Sequence, residues 1–91
     1  MAKGVYDDLK IKLEESIASF PYIYMFKFIV KADNRTIAMV EAIFDNDADI
    51  HQKQSAKGNY MSITVKQVVM SVDEIIAIYE KVSTIEGVMT L

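Results

Sequence analysis

The chain has 91 residues, 52% of them hydrophobic, with no cysteine, one histidine and a formal net charge of −3. That length and composition allow one domain with its own core, and the missing cysteines exclude disulfide frameworks, thiolate metal sites and thiol catalysis. The acidic balance argues against a phosphate-dominated binding surface.

In chain order, residues 6 to 19 place Tyr6, Leu9, Leu13 and Ile17 on one helical stripe, with Lys12, Glu14 and Glu15 away from it. Asp7, Asp8, Glu14 and Glu15 among those apolar residues argue against a targeting peptide. Pro21 stops the helix and pushes Phe20 toward an extended conformation. The run YIYMFKFIV, dense in aromatic and β-branched residues, predicts a strand buried on both faces. Its even positions, Tyr24, Phe26, Phe28 and Val30, face one way, and Ile23, Met25, Lys27 and Ile29 face the other. No wholly apolar run is longer than Tyr22 to Phe26, too short to cross a bilayer, so no membrane partner is expected, and the lack of cysteine fits a reduced, cytoplasmic home.

The stretch ADNRTIAMVEAIF predicts a second helix, with Asp33 or Asn34 as N-cap and Ile37, Val40, Ile43 and Phe44 inward. Residues 49 to 55 predict a polar edge strand. Gly58 and Asn59, which tolerate positive φ, turn the chain into a strand over 60 to 69 with Met61, Ile63 and Val65 on one face. Ser71 and Glu74 form a capping box for a helix with Val72, Ile75, Ile76, Tyr79 and Val82 on its stripe. A last strand covers roughly residues 85 to 91.

After the leading helix the order is β-α-β-β-α-β, an α+β split βαβ of the ferredoxin-like kind. Right-handed crossovers put two helices on one face of a four-stranded antiparallel sheet, with the strands starting at Tyr22 and Tyr60 as central neighbours. Residues 1 to 19 then form a helical extension to a single domain over 20 to 91.

Three separated motifs carry a family resemblance. Phe20, Pro21, Tyr24, Phe26 and Lys27 match an FP-x-x-F/Y-x-F/Y-K start; Ser55, Gly58, Tyr60 and Ser62 match an S-x-x-G-x-Y-x-S hairpin; Ile78 and Tyr79 open an I/L-Y-x-x-L-like ending. In these features the chain resembles the YbeD-like family of small bacterial proteins over about residues 20 to 91. The resemblance implies an ACT-like ferredoxin fold, similar to regulatory domains of amino-acid enzymes, and names no activity. Family members often have Gly after the first strand, where this chain has Val30-Lys31, and the segment from there to Ser55 is short.

Catalytic and ligand motifs weigh against chemistry. An RNA-reading strand needs aromatics at alternate positions; Lys57-Gly58 begins such a pattern, but Tyr60 is followed by Ser62 and Thr64. Asp45, Asp47 and Asp49 fail as a calcium loop, because Ile50 and Ala56 stand where Gly and Glu are needed. A phosphatase-like site on this fold needs a glycine-rich anion loop after the first strand. The sequence VKADNRTIA offers Arg35 without glycine, and Asn59 falls in a turn. His51 has no companions for a metal or triad.

The remaining expectation is a non-catalytic binding module without a cofactor. Ile23, Met25, Lys27, Ile29, Tyr60, Ser62 and Thr64, with Lys66 beside them, form a mixed patch on the open sheet face. Its occupant is a protein partner, a small ligand, a second copy, or the leading helix itself; RNA is the alternative. Regulation through a partner is the leading function class.

Overall fold

A computed structural model describes residues 4–91. The elements are α1 (Asp7–Ser16), β1 (Tyr22–Lys31), α2 (Asn34–Glu41), β2 (Asp49–Gln54), β3 (Tyr60–Val69), α3 (Val72–Ser83) and β4 (Val88–Thr90). The sheet order is β2-β3-β1-β4, all neighbours antiparallel, with β1 paired to β3 from Tyr22↔Val69 to Lys31↔Tyr60. This is the ferredoxin-like arrangement, with the strands at Tyr22 and Tyr60 in the centre as expected.

The alternation of β1 sets the core, and in contrast to the expected burial on both faces it leaves Ile23, Met25 and Lys27 exposed, because the helices cover one face only. Phe26, Phe28 and Val30 are fully buried, as are Ile63, Val65 and Val69 on β3, and Val40, Ile75 and Val82 close over them from α2 and α3. Each such apolar side chain contributes about 1.5–3 kcal/mol through its removal from water. Phe44, just after α2, packs its ring 5.3 Å from that of Phe26. One polar side chain enters this layer: Gln67 on β3, 6% exposed, accepts a 3.0 Å hydrogen bond from the Asp45 amide. That bond satisfies the amide of the loop entering β2 and makes the buried polar group tolerable.

Local chemistry fixes the helix starts. Asp33 caps α2, accepting from the Arg35 amide and the Thr36 hydroxyl, both at 3.1 Å. Ser71 caps α3 by accepting from the Glu74 amide at 3.1 Å. The reciprocal bond differs from the expected box: Glu74 accepts from the amide of Met70, one residue earlier, at 3.0 Å.

Two boundaries are tighter than the periodicity suggests. The first helix spans Asp7–Ser16, and the terminal strand is confined to Val88–Thr90, because a turn containing Gly87 at φ +86° occupies the residues before it.

The sequence leaves the place of α1 open. The helix does not lie beneath the sheet: it runs beside α3 in the helix layer. Leu13 and Ile17 join the core, the Tyr6 hydroxyl donates to the Tyr79 carbonyl at 3.4 Å, and Lys10 pairs with Asp73 at 3.0 Å. The stripe on α1 is therefore matched to the flank of α3 carrying Ile76 and Tyr79, and no element among the described residues covers the far face of the sheet.

Candidate functional site

The strand registers bring the open face together row by row. Ile23 lies across from Val68; Met25 from Lys66, which pairs onward with Asp49; Lys27 from Thr64 and His51; Ile29 from Ser62 and Lys53 on one side and Met89 on the other; and Lys31 from Tyr60. Every residue anticipated for this patch is on it. Ile23, Met25 and Tyr60 are 66%, 53% and 52% exposed, Lys27 is exposed, and Ile29, Ser62 and Thr64 are half-buried by their neighbours.

The register adds residues that sequence reasoning missed. Val68 and Met89 extend the apolar part, and Lys31 and Lys53 extend the basic part. The signal was present in the period of two, but β2 and β4 contribute only after their pairing is known. Lys27, Lys31, Lys53 and Lys66 face Asp49 alone, so this side carries a formal +3 on a chain of net −3. Among the described residues none of the four lysines is paired with a carboxylate, and Asp49 is bonded to His51 at 3.0 Å.

The turn at one end of the face is built by motif residues. Gly58 adopts φ +75° and donates its amide to the Ser55 carbonyl at 2.9 Å. The Ser55 hydroxyl oxygen accepts from the Tyr60 amide at 3.1 Å, and its own amide donates to the Tyr60 carbonyl at 2.9 Å. Asn59 does not share the positive φ; its carbonyl instead accepts from the Ala32 amide, tying the turn to the end of β1. Ser55 and Gly58 thus close the hairpin that places Tyr60 beside Lys31.

Phe20 and Pro21 make the entry to β1, through a cis peptide, and Tyr79 stands on the opposite side of the sheet. Tyr79 is 8% exposed and shares a 2.9 Å hydroxyl contact with Tyr24; burial, then that bond, push its pKa well above the usual phenol value. These motif residues support the fold rather than the open face.

No group of three or more His, Asp or Glu side chains among the described residues is arranged to hold a metal. His51 lies across the ladder from Thr64, yet its Nε2 is bonded to Asp49 and no hydrogen bond joins it to the Thr64 hydroxyl. Beyond the end of β1, Lys31, Asp33, Arg35, Thr36 and Glu86 line an open cleft of about 530 Å³ with charges of both signs.

The fold and this face define a small ferredoxin-like α+β domain with a solvent-open, basic sheet surface. Residues 15–91 match the model of a family described as a protein of unknown function, DUF493, and the chain belongs to that family. It is 33% identical to a UPF0250 protein of Shewanella oneidensis over 84 residues, covering 88% of this chain and 94% of the relative. A UPF0250 protein of Shewanella putrefaciens is 34% identical with the same coverage, and one of Shewanella amazonensis is 34% identical over 73 residues, 76% of this chain and 83% of the relative. The YbeD-like resemblance read from the three motifs is thereby borne out. No solved structure matches the chain.

Proposed function

We propose that the protein is a non-catalytic regulatory binding module that takes an acidic protein partner on its open sheet face. The observation that carries this reading is the open face itself: apolar Ile23, Met25 and Val68 among four lysines that have no carboxylate partner among the described residues, on a chain whose other residues are strongly acidic. Soluble monomers rarely keep such a mixed apolar surface bare, and unpaired charges of one sign favour a complementary partner. The ACT-like fold that the family resemblance implies supports a regulatory role, in which a small ligand is the alternative occupant.

The test is capture on the immobilised chain from a native-host lysate, read by mass spectrometry, with wild type beside a Lys27→Glu/Lys66→Glu variant. The expected result is an acidic protein recovered by wild type at low salt and lost in the variant, whose circular dichroism is unchanged. Recovery of the same proteins by both chains overturns the reading.

The lysines favour one second reading, an RNA-binding face. Tyr60 is the only Phe, Tyr or Trp side chain on this face among the described residues, with the His51 ring held by Asp49, which leaves little for bases to stack on. Binding to mixed RNA and single-stranded DNA should therefore be weak even at low salt; submicromolar, salt-sensitive affinity lost in Tyr60→Ala would favour RNA instead.

A further inference from the structure

The two edges of the sheet differ in what lies beside them. Outside β1, β4 covers Phe28 to Val30, and the Leu91 amide then donates to the Lys27 carbonyl at 3.0 Å. Outside β2 no strand runs among the described residues. The Ser55 amide donates to the Tyr60 carbonyl, so odd-numbered residues of β2 turn their main-chain groups toward β3. The even-numbered ones turn theirs outward. At Ile50 and Gln52 the N–H and the C=O both point off the edge, and no hydrogen bond takes them among the described residues.

The side chains along this edge carry both signs of charge. Asp49, His51 and Lys53 stand exposed on the open face, with the carboxylate and the ammonium on either side of the imidazole. A lysine on an edge strand usually discourages pairing. Here its spacing from Asp49 suits one particular partner, the same strand running the other way.

We infer that β2 pairs with β2 of a second copy, antiparallel and two-fold about His51. Ile50 of each copy then lies opposite Gln52 of the other, and each such pair exchanges both main-chain bonds. Asp49 of each copy meets Lys53 of the other, at the positions where opposed side chains come closest, so opposite charges flank the axis on both sides. Lys53, which has no carboxylate partner among the described residues, thereby gains one. Neighbouring registers are worse. A shift one way sets His51 against Lys53. A shift the other way sets Gln52 and Lys53 against Ala48 and Asp47, where the chain turns and the Ala48 amide donates to the Asp45 carbonyl at 3.0 Å.

Beyond the ladder, the hairpin turn with Lys57 approaches the loop of the other copy with Asp45 and Asp47. In the helix layer Glu41 of α2 is bonded to Gln52, and Ala38, one turn earlier on that flank, is small and exposed, which leaves room for the second copy. The two-fold axis stands normal to the sheet, so both open faces look the same way. Two four-stranded sheets become one, and Lys27, Lys31, Tyr60 and Lys66 of each copy stay free. The pairing does not depend on what occupies that face.

The absence of cysteine allows a register test on the full chain. The two His51 residues at the axis form a non-bonded pair with Cα atoms about 4.5 Å apart, within disulfide reach, whereas the two Gln54 residues stand well beyond the roughly 7 Å limit. Under mild oxidation His51→Cys should give several times more covalent dimer than Gln54→Cys. Sedimentation of the wild type should show a concentration-dependent dimer. Asp49→Lys and Lys53→Asp each set like charges across the ladder, and each alone should be monomeric with unchanged circular dichroism. Mixed in equal amounts, the two variants restore opposite charges at both contacts and should sediment as a dimer. A wild type that remains monomeric throughout, single charge variants that dimerise as the wild type does, a mixture that stays monomeric, or His51→Cys cross-linking no better than Gln54→Cys overturns the proposal.

Discussion

The Tyr24 hydroxyl on β1 meets the Tyr79 hydroxyl on α3 at 2.9 Å, joining the central strand to the last helix through two phenols. Tyr6 stacks near Tyr79, with ring centroids 6.5 Å apart, so the same ring also receives the start of α1. Removing either hydroxyl, in Tyr24→Phe or Tyr79→Phe, should cost about 1 kcal/mol. The double variant should cost less than the two single changes together, and a double-mutant cycle from urea unfolding reads that coupling.

Tyr79 also sets an alkaline limit. Its folded pKa lies above the ordinary value of 10.0, through burial and the Tyr24 bond. Below that value both folded and unfolded chains hold the proton and the contribution is complete. Above it the unfolded chain gives up its proton first, so stability falls by about 1.4 kcal/mol per pH unit until the folded phenol ionises as well. Urea titrations across that window should show this slope in wild type and its absence in Tyr79→Phe.

The attachment of α1 rests on apolar contact rather than on its ion pair. Leu13 is 7% exposed, so Leu13→Ala should cost about 2 kcal/mol or more. The Lys10–Asp73 pair holds the Lys10 pKa up through its hydrogen bond and charge, but both side chains are solvated. Lys10→Ala should lower the melting temperature far less than Leu13→Ala does.

At the hairpin, Gly58 has φ +75°, and an added Cβ would sit 3.2 Å from the Gln54 amide nitrogen. Gly58→Val should destabilise by about 1 kcal/mol or more. Lys57→Ala should leave the melting temperature nearly unchanged, and equal melting of the Gly58 variant and wild type would show that the turn does not need glycine.

The alternation in YIYMFKFIV was readable because a strand under two helices must turn Phe26, Phe28 and Val30 one way, which leaves Ile23, Met25 and Lys27 the other. The place of α1 was not readable. A stripe of Leu9, Leu13 and Ile17 says that a helix buries one side, not which surface receives it. The receiving flank, with Ile76 and Tyr79, becomes visible only once α3 is seated on the sheet. The basic character of the open face was hidden for a related reason. Lys31 and Lys53 lie 22 positions apart in the chain, each unremarkable alone, and they share a face only through the pairing of β3 with both neighbours.

Four of the nine lysines stand on the sheet face against one carboxylate, while most carboxylates lie on or between the helices, and this imbalance makes the molecule an electric dipole. Its net charge is a poor guide to how it meets other molecules. An acidic body approaching at low ionic strength exerts a torque before contact, turning the sheet toward itself although the chain as a whole is negative. Within about a Debye length, 8 Å at physiological salt, orientation therefore precedes collision, and added salt slows the encounter by shortening the range of that torque.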